Sequence, residues 1–252
     1  MEKISATIIT YNEERNIERC LKSLQEVADE IVVVDSFSKD NTQSICKKYN
    51  VTLFENPFEG YSQQKRYAVE KSNYNIILSL DADEALSNQL KESILSVKKA
   101  RKLDAYKCNR ITNFCGKWIR YGGWYPDKQL RLWDKRKADW NQNKIHEKIE
   151  LYSDSEIGQL KGDLLHYSYY TIGEYIHQIN KYSELKAESL KAKGKKANIY
   201  TLLLKPFITF LINYFLKRGF LDGYYGFVLS ISSGYATFIT YVKLKQKSID
   251  KI

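Results

Sequence analysis

Residues 74–84 read YNIILSLDADE, a short apolar run that ends in Asp81-Ala82-Asp83. A run this brief and this rich in Ile and Leu fits a strand buried on both faces. Three more precede it: SATIIT ending at Thr10, EIVVVD ending at Asp35, and VTLF at 51–54. Between them lie the polar, periodic stretches ERNIERCLKSLQEV, TQSICKKY and SQQKRYAVEKS, long enough for crossover helices. The pattern predicts an α/β fold, an open sheet with flanking helices. In such sheets ligands bind beyond the carboxyl ends of the strands, which singles out Tyr11, Asn12, Asp35, Asp81 and Asp83.

Asp81 and Asp83 alternate at a strand end, where an extended or turning backbone can aim both carboxylates at one point. Hard oxygen ligands suit Mg²⁺ or Mn²⁺, and such an ion keeps positions for phosphate oxygens of a substrate. A helix start with Asp83 as N-cap before EALSNQL accounts for the same residues in another way. Asp35 is placed either to accept hydrogen bonds from a ribose or base N–H, or to serve as a turn residue.

From about Asp104 to His166 the text turns to aromatic and mixed-charge segments such as AYKCNRITNFCGKWIRY and KQLRLW. These predict antiparallel or edge strands that extend the sheet. Beyond Thr171, IGEYIHQINKYSELKAESLKAK reads as a helix stopped by Gly194. Two apolar segments follow, IYTLLLKPFITFLINYFL at 199–216 and YYGFVLSISSGYATFITYV at 224–242.

The formal charge of +10 is concentrated there: residues 161–252 hold 14 Lys and Arg against 6 Asp and Glu, a net of +8. Nucleic acid and an anionic membrane both attract such a tail, and its apolar segments decide for the membrane over nucleic acid. A spanning helix needs roughly 20 apolar residues, and neither segment is a clean span. Helices lying in the interface are expected, with a helical cap or dimer contact as the other use. The four cysteines form no close pair and read as reduced thiols, and residues 1–9 lack the features of a secretory signal, so the active domain is expected in the cytoplasm.

TIITYNEERNIERCLKSL at 7–24, VVVDSFSKDNT at 32–42 and LSLDADE at 78–84 occur in the order and spacing of glycosyltransferase family 2, which the chain resembles over roughly its first 170 residues. GGWYPDKQLRLW at 122–133, KIHEKIE at 144–150 and LLHYSYYTIGEYIHQINKYS at 164–183 resemble the subgroup that assembles lipopolysaccharide core and surface polysaccharide, some members of which are glucosyltransferases.

The resemblance implies a GT-A nucleotide-binding domain over 1–170 and a helical membrane-associating extension over 171–252. It implies an inverting transfer of a hexose, glucose first among the candidates, from a UDP-sugar to a lipid-linked saccharide acceptor at the inner face of the cell membrane. Carried over by position, Thr10, Tyr11, Asn12 and Glu13 line the nucleoside and Asp35 contacts the base. Asp83, helped by Asp81, binds the metal, and Arg66 in QQKRYA approaches the donor unless it is simply solvated. His166 falls where the family completes its metal site, although a lone histidine is as readily structural.

Glu147 matches the family's acid in the acceptor region and is the expected base, with Asp127 in WYPDKQ as its rival or a Pro-Asp turn. Arg131 matches a basic position of the subgroup that could assist the leaving diphosphate. Trp124, after Gly122-Gly123, resembles an acceptor-loop aromatic, or else fills a core. Two other readings stand beside the transferase: a nucleotidyltransferase, against which TYNEERN offers no glycine-rich basic phosphate loop, and a non-catalytic membrane-bound module that binds nucleotide sugars.

Overall fold

The computed structural model describes residues 1–141, 147–152 and 155–249. The four apolar runs are strands: β1 (Ile4–Thr10), β2 (Glu30–Asp35), β3 (Thr52–Glu55) and β4 (Ile76–Asp81). Between them run α1 (Ile17–Leu24), α2 (Thr42–Cys46) and α3 (Tyr61–Glu70). All four strands are parallel, in the order β3-β2-β1-β4. Ile4, Ala6, Ile8, Val32, Val33, Val34, Ile77 and Leu80 are all nearly inaccessible, as expected of strands covered on both faces by crossover helices.

The register fixes what the sheet offers at its carboxyl edge. Thr10 lies opposite Asp35, and Ile9 lies opposite Asp81. The ends of β1, β2 and β4 are therefore level, and the residues that follow them form one rim.

Beyond β4 come β5 (Glu84–Leu86), α4 (Asn88–Lys99), β6 (Ala105–Phe114), β7 (Lys117–Ile119), β8 (Asp127–Asp134), β9 (Ala138–Trp140), β10 (Ile149–Leu151) and β11 (Ile157–Tyr169). The sheet continues as β4-β8-β6-β11-β5, with β8 antiparallel to β4 and to β6, so the aromatic segments do extend the parallel core. Strands β9 and β10 pair separately. The N-cap of α4 is Ser87, whose Oγ accepts from Leu90 N, so Asp83 caps no helix and stands in the turn between β4 and β5.

The chain divides into two compact units, Met1–Arg110 with Asp127–Tyr167, and Ile111–Pro126 with Ser168–Ile252. In the second, a Thr171–Glu174 capping box opens α5 (Ile172–Ala192), and Gly194, at φ +68°, follows its end. A helical stretch over 200–216 contains α6 (Lys205–Leu211), and a 3₁₀ turn, Gly219–Asp222, leads into α7 (Gly223–Ile249). Within this unit α7 packs on both α5 and α6. The helical segment Gly219–Ile249 is long and apolar enough to cross a membrane. All four cysteines are free.

Candidate active site

The loops that leave β1 and β2 are tied to each other. Asn12 takes a positive φ of 54°, which its short polar side chain tolerates, and its Oδ1 accepts from Lys39 N at 2.8 Å while its own N–H donates to Ser38 Oγ. Glu13 N donates to Thr42 Oγ1 at 2.7 Å. Asp35 is completely buried beneath this tie, accepting from Ser38 N at 2.7 Å and Gln43 Nε2 at 2.8 Å. Tyr11 is half exposed, and the buried Thr10 Oγ1 has no hydrogen-bond partner.

Next along the rim, acids and bases alternate in a chain within the first unit. Asp127 Oδ2 meets Arg110 Nη2 at 2.7 Å, and Arg110 Nη1 meets Glu84 Oε1 at 3.2 Å. Glu84 Oε1 lies 2.6 Å from Arg131 Nη2, which lies 3.1 Å from Asp81 Oδ2. Asp81 Oδ1 is 2.8 Å from Lys65 Nζ. Glu84, Arg131 and Lys65 are all buried. Burial opposes ionisation of Asp81, but Lys65 and Arg131 outweigh it and hold the carboxyl well below the usual carboxylate range.

Asp83 stands beside this chain and pairs with His166, Oδ2 to Nε2 at 3.1 Å, because the backbone N–H of Tyr167 on β11 donates to Asp83 O. Burial disfavours a charged imidazole, yet the Asp83 hydrogen bond and charge prevail and raise the His166 pKa. Its Nδ1 is buried without a hydrogen-bond partner. Glu13 lies near the same acids. Burial is the chief cause that pushes its carboxyl up to about 7, against the hydrogen bond from Asn16, with Asp83, Asp40 and Asp81 adding to the rise.

These residues fit a divalent cation as a two-donor set, one hard carboxylate and one imidazole, the remaining positions falling to phosphate oxygens and water. Asp81 already faces two cations, and among the described residues no group of three His, Cys, Asp or Glu side chains converges on one metal position.

The structure brings Thr10, Asn12, Glu13, Asp35, Asp81, Asp83, Arg131 and His166 to this rim, and Asp127 joins through Arg110. Arg66 goes elsewhere: its Nε faces Asp139 Oδ2 at 3.5 Å, and it lines a cleft of about 470 Å³ with Asn56, Gln63, Tyr67, Glu70 and Asn141. Glu147 is solvent-exposed just before β10. Its neighbour His146 lies outside the described residues. Trp124 packs edge-on against Phe114 and Tyr169 and at a tilt on Tyr175, in the second unit.

Sequence reading passed over Lys65, Glu84 and Arg110. Lys65 had a signal: it stands three and four positions before Ala68 and Val69, the buried face of α3, whereas Arg66 does not share that face.

A parallel sheet whose strand ends gather acids beside one imidazole, continued by antiparallel strands, defines the GT-A class of nucleotide-sugar-dependent enzymes. The chain belongs to glycosyl transferase family 2, whose family model matches residues 5–153, and it is a glycosyltransferase. It is 32% identical over 263 residues to an uncharacterized glycosyltransferase of Rickettsia typhi, covering 99% of this chain and 89% of that one. The lipopolysaccharide core biosynthesis glycosyltransferase LpsC of Rhizobium meliloti is 31% identical over 257 residues, covering 97% and 92%. Among solved structures, S. aureus TarS 1–349 in complex with UDP-GlcNAc is 15% identical with a TM-score of 0.49, covering 99% of this chain and 92% of that one.

Proposed function

We propose that the chain transfers a hexose, glucose being the leading candidate, from a UDP-sugar to a lipopolysaccharide core or surface polysaccharide acceptor, with inversion at the anomeric carbon. The observation that carries the reading is the Asp83–His166 pair at the rim where Thr10, Asp35 and Asp81 also end their strands. The end-to-end likeness to LpsC supports a lipopolysaccharide acceptor.

In this reading residues 1–170 carry the chemistry and residues 171–252 seat the enzyme on the membrane. Tyr11, with its exposed ring, stacks on or borders the base, while Asp35 holds the loop that receives it. Asp83 and His166 hold a divalent cation, Mg²⁺ or Mn²⁺, which when bound supplies Lewis-acid stabilisation of the departing diphosphate. Lys65 and Arg131 keep Asp81 ionised and fixed. Glu147, free to meet solvent and acceptor, removes the hydroxyl proton as the new glycosidic bond forms. Asp127 is the weaker base because Arg110 and Gln129 already occupy its oxygens. Arg66 borders the cleft beside α3 and approaches the donor from there.

Support for a membrane seat comes from two stripes. Tyr200, Leu203, Leu204, Phe207 and Ile208 are exposed at helical spacing on one segment, and Tyr224, Phe227, Ile231, Tyr235 and Phe238 on α7. Exposed apolar stripes of this size mark an interaction face. With the lysines of 191–196 and 243–247 they suit the anionic cytoplasmic leaflet, so the enzyme works as a peripheral protein on its inner face.

The test is a melting panel of UDP-, GDP- and TDP-sugars with and without Mn²⁺, followed by donor hydrolysis in Asp83→Ala. A cation-dependent rise for one UDP-sugar, lost with hydrolysis in the variant, is expected. No response to any nucleotide in either condition overturns the reading.

A further inference from the structure

The loop at 120–126, RYGGWYP, has a composition that should leave it loose, with Gly122 and Gly123 adjacent at φ +67° and +86°. Its backbone is instead fastened to the turn that joins the two apolar tail segments. Asp222 is 4% exposed, and its Oδ2 accepts from Arg120 N at 3.1 Å and Tyr121 N at 2.8 Å. Gly122 N donates to Lys217 O at 2.9 Å, and Lys117 Nζ donates to the main-chain oxygen of Asp222 at 2.6 Å.

The fastening turn is itself rigid. Arg218 and Gly223 take positive φ angles of 57° and 63°, and a Cβ on Gly226 would lie 1.8 Å from Gly219 O. Such contact leaves no slack between the turn and α7. A buried carboxylate needs partners, and here two of its partners are loop amides, joined by charge-assisted bonds stronger than neutral ones. Beyond these amides the same loop carries Trp124, held in the aromatic cluster of Phe114, Tyr169 and Tyr175.

We infer that Asp222 is a positioning residue that holds the 120–126 loop in the shape that receives the acceptor. The inference rests on the proposed transfer to a saccharide acceptor and on the likeness of Gly122-Gly123-Trp124 to an acceptor loop. Preorganising this loop removes an ordering cost from acceptor capture, and donor binding has no part in it. The tail turn then does more than anchor the chain: it sets acceptor affinity.

The experiment compares the full-length parent with Asp222→Ala and Asp222→Asn. The donor probe is UDP-glucose, and the acceptor probe is lipopolysaccharide extracted from cells in which the gene for this chain is deleted. Asp222→Ala should raise acceptor KM at least tenfold, leaving UDP-glucose hydrolysis without acceptor within twofold of the parent. Asp222→Asn keeps an acceptor oxygen and should stay within threefold in both. Amide exchange at Arg120 and Tyr121 should quicken in Asp222→Ala and remain slow in Asp222→Asn.

If Asp222→Ala loses its cooperative melt, Lys117→Met, which loosens the turn from outside, takes its place with a two- to fivefold rise in KM. An unchanged acceptor KM in the folded variant, or hydrolysis falling in parallel with it, overturns the positioning role. A parent inert toward every nucleotide sugar instead overturns the proposed reaction, and amide exchange still decides whether Asp222 holds the loop.

Discussion

Arg131 and Glu84, on β8 and β5, form an ion pair at 2.6 Å with both side chains almost wholly out of solvent, and the same guanidinium nitrogen reaches Asp81 at 3.1 Å. Removing one member leaves the other charged and buried. Arg131→Met should therefore cost about 3–5 kcal/mol, while replacing both partners by apolar residues of similar volume is often close to neutral. Urea unfolding of Arg131→Met and of Arg131→Met with Glu84→Leu checks this. The double variant should regain much of the loss, though Arg110 is left with Asp127 alone and Asp81 with Lys65 alone. A double variant as unstable as the single one would place the cost elsewhere.

Asp83 and His166 sit at the edge of that network and are only partly buried, so their pairing contributes little to the fold. Asp83→Asn and His166→Asn should each shift the ligand-free stability by about 1 kcal/mol or less. Ligand linkage should change far more. A nucleotide present at a hundred times its Kd stabilises a protein by about 2.7 kcal/mol. For UDP with Mn²⁺ both variants should lose most of this increment, whereas Tyr11→Ala should lose part of it with or without the cation. Equal melting shifts in parent and variants would remove Asp83 and His166 from cation binding.

The sheet was legible in the sequence because buried parallel strands leave a mark that survives without context: Ile9, Val34 and Leu80 each precede the residue at which a strand ends. The rim could be read from the same boundaries. The ion-pair chain could not, since Arg110, Glu84 and Arg131 come from β6, β5 and β8, and it takes both the β6–β8 register, with Arg110 opposite Asp127, and the β11–β5 register, with His166 opposite Glu84, to gather them. Likeness in QQKRYA pointed to Arg66, and the helical face that carries Lys65 went unread. Asp222 gave no sign at all, because its partners are main-chain amides about a hundred positions earlier and any residue type could supply them.

Glu13 supplies a pH dependence with a definite sign. Its carboxyl titrates at about 7 in the folded chain, raised mainly by burial, against roughly 4.3 for an exposed glutamate. Between those values the folded state binds the extra proton, so stability falls as pH rises across the window and the loss is complete above it. Glu13→Gln should match the parent near pH 4 and be the more stable of the two above pH 7. Chemical denaturation at both pH values measures the crossover. A variant that gains nothing at high pH would show that Glu13 is ionised at little cost.

Leu204 and Phe207 are 53% and 58% exposed on one helical stripe, where an aqueous protein gains nothing from them. Complete burial of a Leu or Phe side chain is worth about 1.5–3 kcal/mol, so losing the exposed half of two should weaken membrane partitioning by about 1.5–3 kcal/mol, roughly ten- to a hundredfold. Leu204→Glu with Phe207→Glu should change the melting temperature by only a few degrees, since more than half of each residue already faces solvent, and should abolish sedimentation with vesicles that contain phosphatidylglycerol. The parent should bind neutral phosphatidylcholine vesicles less well, and added salt should weaken its binding to the anionic ones, because each lysine near an anionic surface contributes about 1 kcal/mol. If the double variant sediments as the parent does, the stripe at 200–208 is not the membrane face, and the same pair of substitutions at Phe227 and Ile231 then asks the question of α7.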